Sequence, residues 1–349
     1  MLKSYNINIL SKAPLLSPGE IKSELPLSLD AVAKVIESRK TICSILEHKS
    51  NKQMMIVGPC SIHDLDSAIE YARRLKKLSD QVEDRIMLIM RVYFEKPRTT
   101  VGWKGLIYDP DLNGTYNIEK GIFQARKLML KIVDIGLPTA SEMLDPILPQ
   151  YLADSLAWAA IGARTTESQT HRQMASGLSM PVGFKNATDG SCQAAIDAIS
   201  TARNKHSFIG INEDGLVGVF RTRGNPYCNI VLRGGDHPNF SAEYIAFVKV
   251  ALEKVGLLPN IVVDCSHANS NKDYKKQRIA LDDVINQIVA GEKALVGTML
   301  ESNLLEGRQD IIQGKKPVAG ISITDACIGW DETEELIRKA YDKLASVKR

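Results

Sequence analysis

Short apolar runs alternate with amphipathic segments along this chain from about residue 30 onward. The runs are rich in β-branched residues and end at turn-forming residues, which is typical of buried strands. We predict nine such strands, at residues 54–58, 86–92, 139–142, 159–163, 182–185, 208–211, 230–232, 261–264 and 294–299. Apolar residues at helical spacing fill most of the intervals. The strands are therefore predicted to form a parallel sheet that helices cover on both faces.

Helix boundaries can be read at several of these intervals. Apolar residues keep helical spacing over residues 69–82, and Ser67-Ala68-Ile69-Glu70 has the pattern of a capping box. We therefore expect this helix to begin at Ser67. Gly136 and Gly256 stand where two other helices are predicted to end, each shortly before a proline and the next strand.

Nine strands are one more than a (β/α)8 barrel contains. Residues 212–229 lack a helical period and include several glycines, so an inserted β-hairpin near 212–229 would account for the surplus. A doubly wound open sheet is the competing arrangement, but the sequence contains neither of the glycine-rich nucleotide-binding motifs. We predict an α/β protein, a (β/α)8 TIM barrel over residues 31–349 that carries this hairpin. Polar, proline-containing residues 1–30 are predicted to form an N-terminal extension outside the main core.

The composition excludes several classes of protein. Apolar residues make up 44% and charged residues 24% of the chain, and the formal net charge is only +3, without a basic block. We therefore expect a globular protein that binds no nucleic acid. No apolar run approaches the roughly 18 residues of a membrane span, and the first residues lack the apolar core of a signal peptide. The six cysteines are widely separated. These features predict a cytoplasmic protein without membrane contact.

Ionisable residues stand at nearly every predicted strand end, and most of them are cationic. In a barrel of this kind the carboxyl ends of the strands share one mouth, where the chemistry takes place. The residues at these ends include Arg91, Glu142, Arg164, Lys185, Arg233 and Glu301. Such a mouth suits a substrate with two phosphates, or with a phosphate and a carboxylate. Lys185 is compatible both with an anion ligand and with the Schiff-base lysine of an aldolase.

Four further residues could meet at the same mouth as metal ligands. Cys60, His267 and Glu301 follow the first, seventh and eighth predicted barrel strands, which are neighbours in a closed barrel, and Asp325 follows the eighth. One thiolate, one imidazole and two carboxylates would accept a divalent Mn, Fe, Co or Zn ion. Cys60 and His63, and likewise Cys265 and His267, are close enough in sequence to bind one metal ion. Taken singly, however, such a short Cys–His spacing is more often incidental than a sign of a metal site.

The motifs at these strand ends resemble one family of enzymes. They are Gly58-Pro59-Cys60-Ser61-Ile62-His63-Asp64, residues 91–105, Ile161-Gly162-Ala163-Arg164-Thr165-Thr166-Glu167-Ser168, Pro181-Val182-Gly183-Phe184-Lys185-Asn186, Leu232-Arg233-Gly234-Gly235, Asp264-Cys265-Ser266-His267-Ala268-Asn269 and Ser322-Ile323-Thr324-Asp325-Ala326-Cys327. The family is the type I, feedback-regulated 3-deoxy-D-arabino-heptulosonate 7-phosphate (DAHP) synthases, and the tyrosine-sensitive form is the most similar. The likeness runs from about residue 30 to the C-terminus.

This resemblance implies an activity and a set of site residues. The reaction would be the condensation of phosphoenolpyruvate with D-erythrose 4-phosphate and water, the first step of the shikimate pathway to aromatic amino acids. The implied ligands of one divalent metal ion (Mn, Fe, Co or Zn) are Cys60, His267, Glu301 and Asp325. The implied substrate-binding residues are Arg91, Lys96, Arg98, Thr99, Glu142, Ala163, Arg164, Lys185 and Arg233, and the implied catalytic residues are Lys96, Lys185 and His267.

The resemblance also implies regulation by an aromatic amino acid. Residues 1–30 and the hairpin resemble the family's regulatory and oligomerisation additions, in a homodimer or homotetramer. The implied effector-binding residues are Pro149, Gln150, Ser179, Phe208, Gly210 and Phe220. Gly210 stands where phenylalanine-sensitive relatives tend to carry Ser, and the missing side chain leaves room for a phenol hydroxyl. Tyrosine is therefore the preferred effector and phenylalanine the alternative.

Two positions depart from the family pattern. Ala187 replaces a glycine, so we expect a backbone conformation there that any residue can adopt. Tyr108 replaces an asparagine beside the loop that would receive the aldehyde substrate, where it could change the mobility of that loop. Two other classes of function remain open at this point. One is a lysine-dependent aldolase that uses Lys185, and the other is a barrel without catalytic activity that senses aromatic amino acids.

Overall fold

The computed structural model describes residues 4–312 and 314–346. Residues 1–3 of the predicted arm and residues 347–349 of the predicted barrel region lie outside the described residues. Within the described part, the strands are β1 (Gln53–Gly58), β2 (Ile86–Arg91), β3 (Thr139–Glu142), β4 (Trp158–Ile161), β5 (Val182–Lys185), β6 (Ser207–Ile211), β7 (Val217–Arg221), β8 (Cys228–Leu232), β9 (Ile261–Asp264) and β10 (Leu295–Glu301).

Helices lie between most of the strands, as the apolar spacing predicts. They are α1 (Pro18–Glu24), α2 (Leu29–Leu46), α3 (Leu65–Val82), α4 (Ile118–Ile135), α5 (Pro149–Leu152), α6 (Gln169–Gly177), α7 (Gln193–Ala202), α8 (Ala242–Lys254), α9 (Gln277–Val289) and α10 (Trp330–Ala345). Among the described residues, no helix has the length and apolar character needed to cross a membrane.

Eight of the described strands close into one parallel barrel. Their order around the barrel is β1, β2, β3, β4, β5, β8, β9 and β10. The ring closes at β1, where Met54 is in register with Met87 of β2 on one side and with Gly297 of β10 on the other. The predicted (β/α)8 fold is therefore confirmed, and all eight carboxyl ends face the same mouth.

Apolar side chains fill the barrel from its amino end. Ile42 and Ile45 of α2 are buried together with strand residues such as Ile56, Trp158 and Val231. Helix α2 thus closes the floor of the barrel with apolar contacts. Because the floor is closed, the interior of the barrel is open to a substrate at the opposite, carboxyl end.

The surplus predicted strand, residues 208–211, belongs to a separate hairpin. Strands β6 and β7 pair antiparallel, and Phe208 is in register with Phe220. The side chain of Asn212 shapes the turn by accepting hydrogen bonds from the backbone N–H groups of Asp214 and Leu216, at 3.1 Å and 2.9 Å. The hairpin spans residues 207–221 and so begins earlier than the predicted 212–229, because residues 208–211 form its first strand instead of a barrel strand.

Helix α3 begins three residues earlier than the capping-box pattern predicts. Asp64 is the N-cap, and its carboxylate accepts hydrogen bonds from the backbone N–H groups of Asp66 and Ser67. The hydroxyl of Ser67 donates to Asp64 at 2.8 Å. The predicted start at Ser67 is therefore wrong, because this hydroxyl is already held by the true cap. Gly136 ends α4 in the left-handed conformation, with φ of 97°.

The N-terminal extension packs against the barrel through α1. Ser17 and Glu20 form a capping box at the start of this helix, and Ile21 is fully buried. The backbone N–H of Gly19 donates to the carbonyl of Glu213 in the hairpin at 2.7 Å. The guanidinium of Arg126 in α4 donates to the carbonyl of Leu25 at 2.9 Å. The extension is thus tied both to the hairpin and to the barrel.

We expect Ile21→Ala to lower the free energy of unfolding by about 2–4 kcal/mol, because it removes a fully buried side chain. Urea unfolding of the full chain measures this. Ile7→Ala is the matched control, since Ile7 lies in the same extension and is 69% exposed. Equal stability of the two variants would show that α1 does not contribute to the folded core.

Candidate active site

The carboxyl end of the barrel contains a cavity of about 430 Å³. Its wall is predominantly cationic and includes seven of the residues that the sequence predicts to bind substrate. These are Lys96, Arg98, Glu142, Ala163, Arg164, Lys185 and Arg233. A cavity of this size and charge fits small molecules with several negative charges.

Lys185 is held at the inner wall of the cavity by an ion pair. Its Nζ lies 2.8 Å from Oδ2 of Asp264, and both side chains are buried. Burial alone would lower the pKa of Lys185, but the adjacent Asp264 carboxylate outweighs it and raises the pKa above its ordinary value. The amine is therefore charged at neutral pH. A charged amine binds anions but is a poor nucleophile for Schiff-base formation.

Arg91 and Thr99 are outside the cavity wall, although both lie close to it. Arg91 is 1% exposed, and its Nη2 lies 3.2 Å from Oε1 of Glu301. Its guanidinium also stacks 3.9 Å from the centre of the Tyr93 ring. Thr99 accepts a hydrogen bond from Nε of Arg164 at 3.2 Å. Through these contacts Arg91 orients Glu301, and Thr99 orients Arg164.

A thiol and two carboxylates meet at one side of the cavity. Ligand atoms of Cys60, Glu301 and Asp325 all lie within 4.8 Å of one another. Burial and the nearby Glu301 carboxylate together raise the pKa of the Cys60 thiol to about 11, although the ammonium of Lys96 acts in the opposite direction. Nζ of Lys96 lies 3.0 Å from the sulfur. This donor set suits a divalent transition-metal ion, because its positive charge would stabilise a thiolate beside two carboxylates.

His267 is beside this group but does not belong to the closest set. Its Nε2 lies 3.8 Å from Oε1 of Glu301. On the other side of the ring, Nδ1 lies 2.6 Å from Oγ of Ser266 and 3.1 Å from Oδ2 of Asp264. These contacts fix the ring so that Nε2 faces the metal-binding group. His267 also has a φ of 56°, an uncommon conformation that the surrounding hydrogen bonds maintain.

Two buried polar atoms beneath the cavity have no hydrogen-bond partner among the described residues. They are Oε1 of Glu142 and the hydroxyl of Tyr93. Gly162 makes room for the carboxylate, since a Cβ at this position would lie 2.2 Å from Oε1 of Glu142. Buried polar atoms are normally paired, so these two favour a polar ligand or water in the cavity.

Several residues of the cavity are absent from the sequence-based prediction. The wall also includes Thr188, Ser266, Ser270, Lys272, Tyr274 and Arg308. Asp264, which pairs with both Lys185 and His267, was likewise not predicted as a site residue. Its position at the end of β9 was a usable signal. Lys272 and Arg308 lie in loops, where the sequence offers no periodicity to place them.

The predicted effector residues are distributed over three elements. Phe208, Gly210 and Phe220 belong to the hairpin, where the two phenyl rings stack with centroids 5.7 Å apart. Pro149 and Gln150 are in or beside α5, which contacts α1. Ser179 follows α6 and lines a groove beside α2. A Cβ added at Gly210 would lie 3.1 Å from two atoms of the Phe220 ring.

The structure shows the backbone conformation at Ala187 and the side-chain contact of Tyr108, the two positions that depart from the family pattern. Ala187 is not among the described residues with positive φ, so the permissive backbone conformation expected there is confirmed. The left-handed position of this loop is Gly190, with φ of 102°. Tyr108 reaches across its loop, and its hydroxyl lies 3.2 Å from Oδ2 of Asp145.

A (β/α)8 barrel with a cationic cavity and a Cys–Glu–Asp group at its carboxyl end defines an enzyme for small anionic substrates. The sequence pattern of the DAHP synthetase I family matches residues 27–338. This match covers most of the chain, so the protein belongs to the DAHP synthetase I family.

Individual relatives agree over nearly the full length. The chain is 50% identical over 340 residues to the phospho-2-dehydro-3-deoxyheptonate aldolase, Tyr-sensitive, of Escherichia coli (strain K12), covering 97% of this chain and 96% of the relative. It is 51% identical over 325 residues to the Phe-sensitive aldolase of the same organism, covering 93% of each. The solved phospho-2-dehydro-3-deoxyheptonate aldolase from Francisella tularensis SCHU S4 superposes with a TM-score of 0.95 at 43% identity, covering 98% of this chain and 100% of that one.

Proposed function

We propose that this chain condenses phosphoenolpyruvate with D-erythrose 4-phosphate and water, which gives DAHP and inorganic phosphate. The observation that supports this most directly is the position of the Cys60–Glu301–Asp325 group beside a cavity lined by seven lysine and arginine side chains. Two substrates that both carry phosphate repel each other in solution. A cationic cavity compensates this repulsion and holds them at reacting distance.

Phosphoenolpyruvate binds at the inner part of the cavity in this proposal. Arg164, Lys185 and Arg233 neutralise its phosphate and carboxylate, and Arg91 supports this set from beneath. Glu142 and Ala163 complete the wall. The buried Lys185–Asp264 pair fixes the ammonium before the substrate arrives, so little reorganisation is needed on binding.

Erythrose 4-phosphate binds along residues 96–99 at the outer part of the cavity. Arg98 binds its phosphate together with Thr99, while Lys96 lies closer to the metal-binding group. Nε of Arg98 is already held by the carbonyl of Trp103 at 2.9 Å, which leaves the terminal nitrogens for the phosphate. Lys96 then stabilises the negative charge that develops on the aldehyde oxygen.

The residues suited to hold the divalent metal ion are Cys60, His267, Glu301 and Asp325. When bound there, the ion supplies Lewis-acid polarisation of a substrate oxygen. His267 keeps Nε2 directed at this position through its contacts to Ser266 and Asp264. Lys96, 3.0 Å from the sulfur, stabilises the thiolate form of Cys60.

The proposed reaction forms one carbon–carbon bond and breaks the C–O bond between C2 and the phosphate. C3 of phosphoenolpyruvate forms a bond to the aldehyde carbon, and the aldehyde oxygen gains a proton and becomes a hydroxyl. Water adds to C2, and the C–O bond to phosphate breaks as the keto group forms. The cationic wall acts mainly by positioning the substrates and by neutralising charge on the departing phosphate.

Incubation of the purified protein with metal and both substrates tests the proposal. We expect the enolpyruvyl absorbance to fall only when erythrose 4-phosphate is present, with one phosphate released per product. Borohydride reduction tests the remaining alternative, a lysine-dependent aldolase. Trapping of substrate on Lys185, or no loss of phosphoenolpyruvate with any divalent metal, would contradict the proposal.

We further propose that tyrosine inhibits the enzyme by binding at the hairpin. Gly210 adjoins the stacked rings of Phe208 and Phe220, which form a flat apolar surface suited to an aromatic ring. Gly210 has no side chain to cover the edge of these rings, and a Cβ there would already lie 3.1 Å from the Phe220 ring. Inhibition by tyrosine, phenylalanine and tryptophan, measured separately, is expected to be strongest for tyrosine.

We expect Gly210→Ser to weaken inhibition by tyrosine about tenfold, because the new Cβ would lie 3.1 Å from the Phe220 ring and displace this ring from the proposed effector surface. Steady-state inhibition curves measure the change. Gly218→Ser is a matched control, because Gly218 pairs with Gly210 across the hairpin and a Cβ there meets no atom within 4 Å. Equal effects of the two substitutions would locate the effector elsewhere.

We also propose a cytoplasmic homodimer or homotetramer. All six cysteines are free in the structure, which suits a reducing compartment. The exposed apolar side chains of the extension and of the hairpin, such as Leu10 and Val217, provide surface for contact between subunits. Light scattering coupled to gel filtration measures the state, and a monomer at all concentrations would contradict this part of the proposal.

A further inference from the structure

The loop between β2 and α4 carries the residues proposed to bind erythrose 4-phosphate. It spans residues 92–117 and contains Lys96 and Arg98. Its first part folds back on itself, since the backbone N–H of Lys96 donates to the carbonyl of Lys104 at 2.9 Å. Nε of Arg98 donates to the carbonyl of Trp103. These local bonds shape the part of the loop that carries Lys96 and Arg98.

Tyr108 adds a contact between this loop and the segment that follows β3. Its backbone N–H donates to the carbonyl of Gly105 within the loop, and its side chain crosses to the next segment of the barrel. The hydroxyl lies 3.4 Å from Oε1 of Glu95 and 3.2 Å from Oδ2 of Asp145. Glu95 directly precedes Lys96, and Asp145 follows β3. One hydroxyl therefore connects the start of the substrate loop to the loop after the neighbouring strand.

Glu95 also binds the segment that follows β3. Its carboxyl group is 3% exposed and accepts hydrogen bonds from the backbone N–H groups of Leu144 at 3.2 Å and Asp145 at 3.0 Å. His171 holds the same segment, with Nε2 2.7 Å from the carbonyl of Leu144. The segment that receives Tyr108 is thus held by His171 from one side and by Glu95 of the substrate loop from the other.

The Tyr108 hydroxyl lies between two carboxyl groups, those of Glu95 and Asp145. Burial and the neighbouring Asp145 together raise the pKa of Glu95 to about 8, while its two backbone hydrogen bonds act in the opposite direction. A proton on Glu95 would let the carboxyl group and the phenol each donate one hydrogen bond, so that no pair of acceptors faces each other. Buried networks whose members are all satisfied hold a single conformation.

We propose that Tyr108 is a positioning residue for the aldehyde substrate. Through the contacts of its hydroxyl to Glu95 and Asp145, it holds the loop so that Lys96 and Arg98 face the cavity. This inference rests on the proposed function, because it assigns the loop to erythrose 4-phosphate. Tyr108 contacts no reacting atom in this proposal and acts only through the geometry of the loop.

Tyr108→Phe keeps the ring and removes only the hydroxyl. We expect the KM for erythrose 4-phosphate to rise about five- to tenfold, because the loop must then be ordered by the substrate itself. The KM for phosphoenolpyruvate is expected to stay within about twofold, since its proposed ligands lie on other strands. Tyr116→Phe is the matched control, because Tyr116 lies in the same loop and is 60% exposed.

Hydrogen–deuterium exchange tests the same inference without substrates. We expect faster exchange of the Lys96 amide in Tyr108→Phe than in Tyr116→Phe, with similar thermal unfolding of both variants. In a chain that already carries Glu95→Gln, the additional Tyr108→Phe substitution should change the exchange of the Lys96 amide less than it does in the wild type. The reason is that Glu95 and Tyr108 share one hydrogen-bond network.

The outcomes separate this inference from the proposed function. Inactivity of the wild type towards erythrose 4-phosphate would contradict the proposed function, while exchange would still report on the loop. An active wild type with unchanged KM and exchange in Tyr108→Phe would overturn the positioning role. An equal rise of both KM values together with a lower unfolding temperature would also overturn the positioning role. That result would indicate a general structural defect in Tyr108→Phe.

Discussion

We expect Cys60→Ala to lose about 100-fold or more of the condensation activity and most of its divalent-metal binding. Cys60 is fully buried, and it supplies the only sulfur within the Cys60–Glu301–Asp325 group of the described residues. Without it, the two carboxylates offer a weaker and harder set of donors, and Lys96 loses its thiolate partner. Metal analysis of the purified variant and steady-state kinetics with both substrates measure these two effects.

Chelation of the wild type should reproduce this loss, and addition of a divalent metal should restore activity only while Cys60 is present. Cys43→Ala is the matched control, because Cys43 lies on α2 at the opposite end of the barrel and is also free. Full activity after complete removal of metal would contradict a role for the group in catalysis. Full activity of Cys60→Ala with metal bound would remove Cys60 from the ligand set.

The fold could be predicted because strand and helix periodicities are local properties of the sequence. The buried strands are short apolar runs, and their ends fell within a few residues of prediction. Residues 208–211 look the same locally but pair with β7, since nothing in so short a run specifies the strand with which it pairs. The N-cap of α3 shows the same limit. Asp64 and Ser67 are both suitable N-cap residues, and only the packed structure determines that Asp64 is used.

Most site residues could be placed because they stand at strand ends. Once the barrel closes, Arg164, Lys185 and Arg233 must share one mouth. Loop residues have no such constraint, so Lys272 and Arg308 were not foreseen. The role of each cationic residue also depends on distances to its neighbours, which the sequence does not give. Arg91, for example, lies beneath the cavity wall and pairs with Glu301.

Lys185→Met is expected to lower kcat/KM for phosphoenolpyruvate by about 100- to 1,000-fold, because it removes a preorganised charge at the anion site. It should also lower the free energy of unfolding by about 3 kcal/mol, since Asp264 would be left buried without its partner 2.8 Å away. Kinetics and urea unfolding measure the two effects separately.

The double variant Lys185→Met, Asp264→Asn separates catalysis from stability. Neutralising Asp264 removes the unpaired buried charge, so we expect most of the stability to return while kcat/KM stays low. If activity returns together with stability, Lys185 serves only to balance Asp264, and the phosphate must be bound by other cations such as Arg164 and Arg233. If neither returns, Asp264 has its own role through His267, whose Nδ1 lies 3.1 Å from its carboxylate. The proposed anion site requires the first of these three results.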